Sequence, residues 1–64
     1  MATDPDVIRA ARHMIENHGR HALFVAERRA LNLAADGSRT GAEIWTQIAR
    51  AVRQLQRPPP APLA

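Results

Sequence analysis

The sequence predicts an all-α fold, because apolar residues recur at helical spacing in three segments that glycine-containing breaks separate. The predicted helices cover about residues 5–18, 21–35 and 41–57. The links between them are short, which favours antiparallel neighbours. We therefore expect a single domain over residues 1–57, either a compact three-helix bundle or helical hairpins that self-association completes.

The start of the first helix is indicated by Asp4, Pro5 and Asp6. An aspartate can accept a hydrogen bond from a free amide of the first turn, and proline is tolerated there. Gly19 predicts the end, because glycine adopts the left-handed backbone that closes many helices. The residues expected to face the core share helical spacing and include Val7, Ile8, Ala11, Met14 and Ile15.

The second helix carries two apolar stripes on different faces. One stripe is expected to pack against the neighbouring helices and consists of Leu23, Ala26, Ala30, Leu33 and Ala34. Phe24 and Leu31, which are seven residues apart, form the other stripe beside Arg28. The pattern leaves two alternatives open: both stripes are buried between helices, or Phe24 and Leu31 form an exposed contact surface.

The third helix is expected to follow a loop at residues 36–39. Thr40 and Glu43 have the spacing of a capping box, which predicts that Thr40 caps the helix. The residues predicted to face inward are Ile44, Trp45, Ile48, Ala49, Val52 and Leu55. Pro58 ends the helix, and residues 58–64 are predicted to be a disordered proline-rich tail.

The composition predicts a fold of marginal stability. A chain of 64 residues buries only about 60% of the surface that its unfolded form exposes. Thirteen residues are alanine and none is cysteine, so neither a core rich in large side chains nor a disulfide can compensate. Helix packing or a partner must then supply the missing stability.

The predicted location is the cytoplasm. A chain without cysteine fits a reducing compartment, and no apolar run reaches the ~18 residues of a membrane span. The N-terminus is acidic and does not have the pattern of a signal peptide. We therefore expect a soluble protein with no membrane partner.

The arginine content suggests contact with nucleic acid. All nine basic residues are arginine, but the formal net charge is only +3 because six acids interleave with them. A helix-turn-helix alignment on Gly37 fails, because Ser38, Glu43 and Thr46 stand where that motif needs packing residues. The alternative function is thus a basic accessory protein that contacts phosphates through arginines of the first and third helices, namely Arg9, Arg12, Arg50, Arg53 and Arg57.

No pattern in the sequence predicts chemistry. His13, His18 and His21 do not combine with carboxylates at a metal-binding spacing. The hydroxyl residues form no recognisable arrangement of serine, histidine and acid. We therefore expect no catalytic residue, metal site, cofactor or small-molecule substrate.

The order of several short segments resembles one group of known proteins. The segments are Ile8 to Ile15, His18-Gly19, an alanine-rich helix, Asp36-Gly37, and Gly41 to Leu55. They resemble short, all-helical alphaproteobacterial proteins of unassigned function over about residues 4–55. The resemblance implies an all-α fold and brings no ligand or catalytic residue with it.

The sequence therefore predicts a non-enzymatic protein-interaction module. Phe24, Arg28 and Leu31 of the second helix are the predicted contact residues, because exposed large apolar side chains beside arginine are typical of interface anchors. A second copy of the chain is the expected partner, and another protein is the alternative partner.

Overall fold

The computed structural model describes residues 4–57, and every regular element within them is helical. Helix α1 spans Pro5–His18, a single 3-10 turn spans Gly19–His21, α2 spans Ala22–Ala35, and α3 spans Arg39–Gln56. The predicted all-α class is confirmed. The predicted proline-rich tail, residues 58–64, lies outside the described part of the chain.

Asp4 caps the start of α1, as predicted. Its Oδ1 atom accepts a hydrogen bond of 2.8 Å from the backbone N–H of Asp6. Its carbonyl oxygen accepts the N–H groups of Val7 and Ile8, while Pro5 occupies the first turn, where no N–H is needed. The start of α1 is therefore determined by residues within one turn of each other.

Gly19 ends α1, also as predicted. Its φ of 55° lies in the left-handed region, and its N–H donates to the carbonyl of Ile15. A Cβ built at this position would meet no atom within 4 Å. Glycine is therefore needed here for the backbone conformation and not for space.

The turn between α2 and α3 is a Schellman motif. The N–H of Ser38 donates to the carbonyl of Leu33 at 2.8 Å, and the N–H of Gly37 donates to that of Ala34 at 3.1 Å. Gly37 supplies the required left-handed backbone, with φ of 85°. This closure reverses the chain within residues 36–38.

The capping box predicted at Thr40 is wrong. Helix α3 begins at Arg39, with Ser38 at the N-cap position, and the carbonyl of Ser38 accepts the N–H of Ala42 at 2.9 Å. The Ser38 side chain makes no capping hydrogen bond. Because the Schellman closure already places Ser38 at the helix boundary, Thr40 lies inside the first turn and has no amide to cap.

Alanine dominates the contact between the helices. The buried residues of the described chain are Val7, Ala11, Met14, Ala22, Ala26, Ile48, Ala49, Ala51 and Val52. Val52 is the largest side chain among them with no exposed surface. Helix α3 contacts both α1 and α2, whereas α1 and α2 have few contacts with each other. The core therefore consists of two interfaces, one between α1 and α3 and one between α2 and α3, each with few large buried side chains.

Both ends of α3 are tied to its neighbours. At its start, a Cβ on Gly41 would lie 2.8 Å from Ser38 Oγ and 3.3 Å from Leu33 Cδ1, so glycine permits close approach to α2. At its end, Gln56 Nε2 donates to the Gly19 carbonyl at 2.8 Å. Helix α3 thus spans the distance from the α2–α3 turn to the α1–α2 junction.

The buried part of α3 is shorter than its apolar stripe. Ile44 and Leu55, which the sequence pattern placed inside, are 46% and 41% exposed. The buried residues of α3 all lie between Ile48 and Val52. The prediction that these two side chains face the core is therefore wrong.

We expect Asp4→Ala to lower the free energy of unfolding by about 1 kcal/mol, because the Asp6 amide loses its acceptor. Thr40→Ala is the matched comparison and should change it by less than about 0.5 kcal/mol, because Thr40 caps nothing. Urea unfolding followed by circular dichroism measures both. A larger loss for the threonine variant would contradict the assigned start of α3.

We expect Gly37→Ala to cost about 1 kcal/mol, because alanine resists a φ of 85° although no atom blocks its Cβ. Gly37→Asn should cost less, since asparagine tolerates the left-handed backbone better. Thermal unfolding of the two variants tests this order. Equal stability of the alanine variant and the native protein would show that the turn adopts another conformation.

Candidate functional site

The outer face of α2 carries two large exposed apolar side chains. Phe24 is 61% exposed and Leu31 is 71% exposed. Seven residues along a helix place them about 20° apart, and about 160° separates Phe24 from the buried Ala22 and Ala26. Phe24, Arg28 and Leu31 therefore form one strip on the solvent side of α2, which we call the α2 stripe.

The described chain buries one of the two apolar faces of α2. Its buried residues are Ala22 and Ala26, and Leu23 and Val25 are half-buried against the core. Of the two alternatives that the sequence left open, the structure leaves Phe24 and Leu31 outside the core. Ala22 and Ala26 are thus inside, whereas Phe24 and Leu31 are outside. Ala34, which the sequence pattern predicted to pack against a neighbouring helix, is exposed, so that part of the prediction is wrong.

Trp45 differs from Phe24, although both are aromatic. Trp45 is half-buried and packs against the buried cluster that contains Ile48 and Val52. The Arg29 guanidinium carbon lies 4.9 Å from the centroid of the indole ring. Such a cation–π contact is worth about 0.5–1 kcal/mol at an exposed site. Trp45 is therefore part of the packing between α2 and α3, with Arg29 covering one face of its ring.

A second surface lies beside the α2 stripe, in an open groove between α2 and α3 of about 550 Å³. The apolar lining residues are Leu23, Ala30, Leu31, Ala34, Ala42 and Ala49. The polar lining residues are Glu27, Thr46, Arg50 and Arg53. We call this surface the α2–α3 groove. Sequence reasoning missed it, because it forms only when the turn at residues 36–38 brings two alanine-bearing faces together.

The five arginines predicted as the alternative phosphate contacts lie in different surroundings. Arg9 forms an exposed ion pair with Asp6, at 3.5 Å, and Arg53 forms one with Glu27, at 3.4 Å. Arg50 and Arg53 line the α2–α3 groove. The other two, Arg12 and Arg57, are exposed. The structure thus brings two of the five arginines to one surface.

Arg39 joins this basic region, although the sequence prediction did not include it. It lines an adjoining depression near the α2–α3 turn together with Gln47 and Glu43, and this depression shares Arg50 with the groove. Arg39 and Arg50 lie eleven residues apart, or about three helical turns, which places them on one side of α3. That spacing is the sequence signal that could have identified Arg39.

The interior of residues 4–57 contains no buried polar or charged residue. The same range holds no cluster of three or more histidine, aspartate or glutamate side chains that could hold a metal ion. None of its helices has the length and apolar character needed to cross a membrane. The candidate site consists of the α2 stripe and the α2–α3 groove, both of which are exposed.

Comparison with known proteins adds no relative. No protein-family model matches the sequence, and neither the curated proteins nor the solved structures contain a significant match. The resemblance to short alphaproteobacterial helical proteins stays a prediction.

We expect Trp45→Ala to lower the free energy of unfolding by about 3 kcal/mol, because it removes a large side chain that packs against the core. Phe24→Ala should cost about 0.5 kcal/mol or less when measured on dilute, dissociated protein, because Phe24 is mostly exposed. Chemical unfolding of the two variants compares them directly. Similar losses would show that Phe24 is a core residue.

Proposed function

We propose that this protein is a non-enzymatic protein-interaction module that self-associates through the α2 stripe. The observation that supports it is the exposure of Phe24 and Leu31, 61% and 71%, on the face of α2 opposite its buried alanines. Large apolar side chains that share one exposed face are typical of contact surfaces. Arginine, which is enriched at interfaces, lies between them as Arg28.

The thin core supports the same proposal. Full burial of a side chain such as phenylalanine or leucine contributes about 1.5–3 kcal/mol. A symmetric dimer would bury the α2 stripe of both copies and add four large side chains to a core in which alanine predominates. Of the two architectures predicted, we therefore favour helical hairpins to which a second copy adds stability, with a monomer that stays folded when it dissociates.

The expected association is reversible and weak. Association costs about 4–15 kcal/mol in lost translational and rotational freedom, which is close to the gain from four partly buried side chains. The dimer should therefore form and dissociate with concentration. We propose that it works in the cytoplasm, since a cysteine-free chain suits a reducing compartment.

Charge substitutions in the α2 stripe test the proposal. Phe24→Glu and Leu31→Glu should keep the helical circular dichroism spectrum, because both sites are exposed, and should convert the dimer to monomer. Asn32→Glu is the matched control, because it adds the same charge at an exposed site of α2 outside the stripe. Sedimentation velocity over about a hundredfold range of concentration measures the change, since dimer formation follows mass action.

Three results would contradict self-association through α2. The native protein could be monomeric throughout the range, Asn32→Glu could dissociate it as strongly, or Phe24→Glu could unfold it. Binding to nucleic acid that weakens steeply with salt would instead support the alternative function, with phosphate contacts from arginines of α1 and α3. That set is Arg9, Arg12, Arg50, Arg53 and Arg57.

A further inference from the structure

We infer that the α2–α3 groove binds an amphipathic helix of a different protein, one whose apolar residues are flanked by aspartate and glutamate. This site goes beyond self-association through the α2 stripe. Leu31 belongs to both surfaces, but Ala34, Ala42 and Arg50 line the groove and lie outside the stripe. The two sites can therefore be tested by separate variants.

The floor of the groove suits the side chains of a helix. Four alanines line it, from both α2 and α3, and Leu23 and Leu31 supply larger apolar surface. Ala34 is exposed, and Ala30 and Ala42 are half-buried, so residues 4–57 leave this floor open to water. Small side chains let another helix approach closely, and aliphatic side chains at i, i+3 and i+4 would cover the floor. The driving force is the burial of apolar surface on both partners.

The α3 wall of the groove determines the charge of the partner. Arg50 and Arg53 line the groove, and Arg39 lines the adjoining depression near the turn, which shares Arg50 with the groove. Arg53 is paired with Glu27 at 3.4 Å, whereas neither Arg39 nor Arg50 has a carboxylate of residues 4–57 within 4.0 Å. Although Glu43 lines the adjoining depression, the guanidinium groups of Arg39 and Arg50 remain available to an incoming carboxylate. Charge complementarity therefore favours an acidic helix.

The same features disfavour the other two occupants. A second copy would bring the α2 stripe, which carries Arg28 between its apolar residues, against a wall that is already basic. A single-stranded nucleic acid would find no aromatic side chain for base stacking, because neither Phe24 nor Trp45 lines the groove. An alanine floor also offers nothing to phosphates. An acidic amphipathic helix would contact the alanines with its apolar residues and the arginines with its carboxylates.

A displayed peptide library tests the inference with the intact protein as bait. The library presents helical peptides with leucine fixed at i, i+3, i+4 and i+7 and with every flanking position randomised. We expect aspartate and glutamate to be enriched at the flanks of the selected peptides. Selection of neutral or basic flanks, or no binder at all, would overturn the inference.

Three variants locate the bound peptide, with fluorescence polarisation of the best acidic peptide as the measurement. Ala34→Gln should weaken binding more than about tenfold, because it places a polar amide over the apolar floor at an exposed site and adds no charge. Arg50→Glu should weaken binding about three- to tenfold, because one attraction becomes a repulsion. Arg12→Glu, on α1 and outside the groove, makes the same change in net charge and should leave the affinity unchanged.

The controls separate this site from self-association and from nucleic-acid binding. Phe24→Glu should still bind the acidic peptide, because Phe24 does not line the groove. If the protein does not dimerise, peptide binding to the groove can therefore still be tested. If the peptide does not bind, dimerisation through the α2 stripe can still be tested. Equal weakening by Arg12→Glu and Arg50→Glu would mean that net charge alone attracts the peptide. Binding of a labelled oligonucleotide that the peptide cannot displace, with no effect of Ala34→Gln on either probe, would indicate that the arginines contact phosphates and would overturn the inference.

Discussion

The close, alanine-rich contact of α3 with both of its neighbours governs how the helices pack and which side chains stay outside the core. Ala22 and Ala26 of α2, Ala11 of α1, and Ala49 and Ala51 of α3 are buried where the helices meet. Small side chains allow close approach, but each removes little apolar surface from water. The fold therefore keeps only a few larger side chains inside, such as Val52 and Met14, and its stability must be low for a chain of 64 residues.

On α2, two alanines are buried and two large apolar side chains are exposed, which is the opposite of the usual amphipathic helix. In α3, Ile48 and Val52 are buried and the arginines are exposed, as expected for an amphipathic helix. In α2, the buried residues are Ala22 and Ala26, while Phe24 and Leu31 face solvent. The helix that contributes least bulk to the core thus offers the most bulk to a partner, and this contrast is why both proposals involve α2.

The α2 stripe and the α2–α3 groove are neighbours, and Leu31 belongs to both. A partner on one surface would therefore change the surroundings of the other. Burial of Leu31 in a dimer would cover one of the apolar side chains that a helix in the groove contacts. Competition between the two events follows if both bury the same face of Leu31, whereas cooperation follows if the dimer holds Leu31 against the floor. By thermodynamic linkage, dimerisation changes the affinity for the helical partner by the same factor as the partner changes the affinity for dimerisation.

Features that depend on residues close along the chain could be predicted from the amino-acid sequence. The helical class, the Asp4 cap and the Gly19 break were predicted correctly, because each depends on hydrogen bonds or backbone angles within about one helical turn. The Thr40 capping box failed although it is also local, since the Schellman closure at Gly37 and Ser38 had already set the start of α3. The packing of the helices was needed to show that Phe24 and Leu31 are exposed and that Ile44 and Leu55 lie outside the core. It was also needed to show that Arg50 and four alanines line one groove. Those outcomes depend on which helix faces cover each other, and helical periodicity identifies a face without identifying what packs against it.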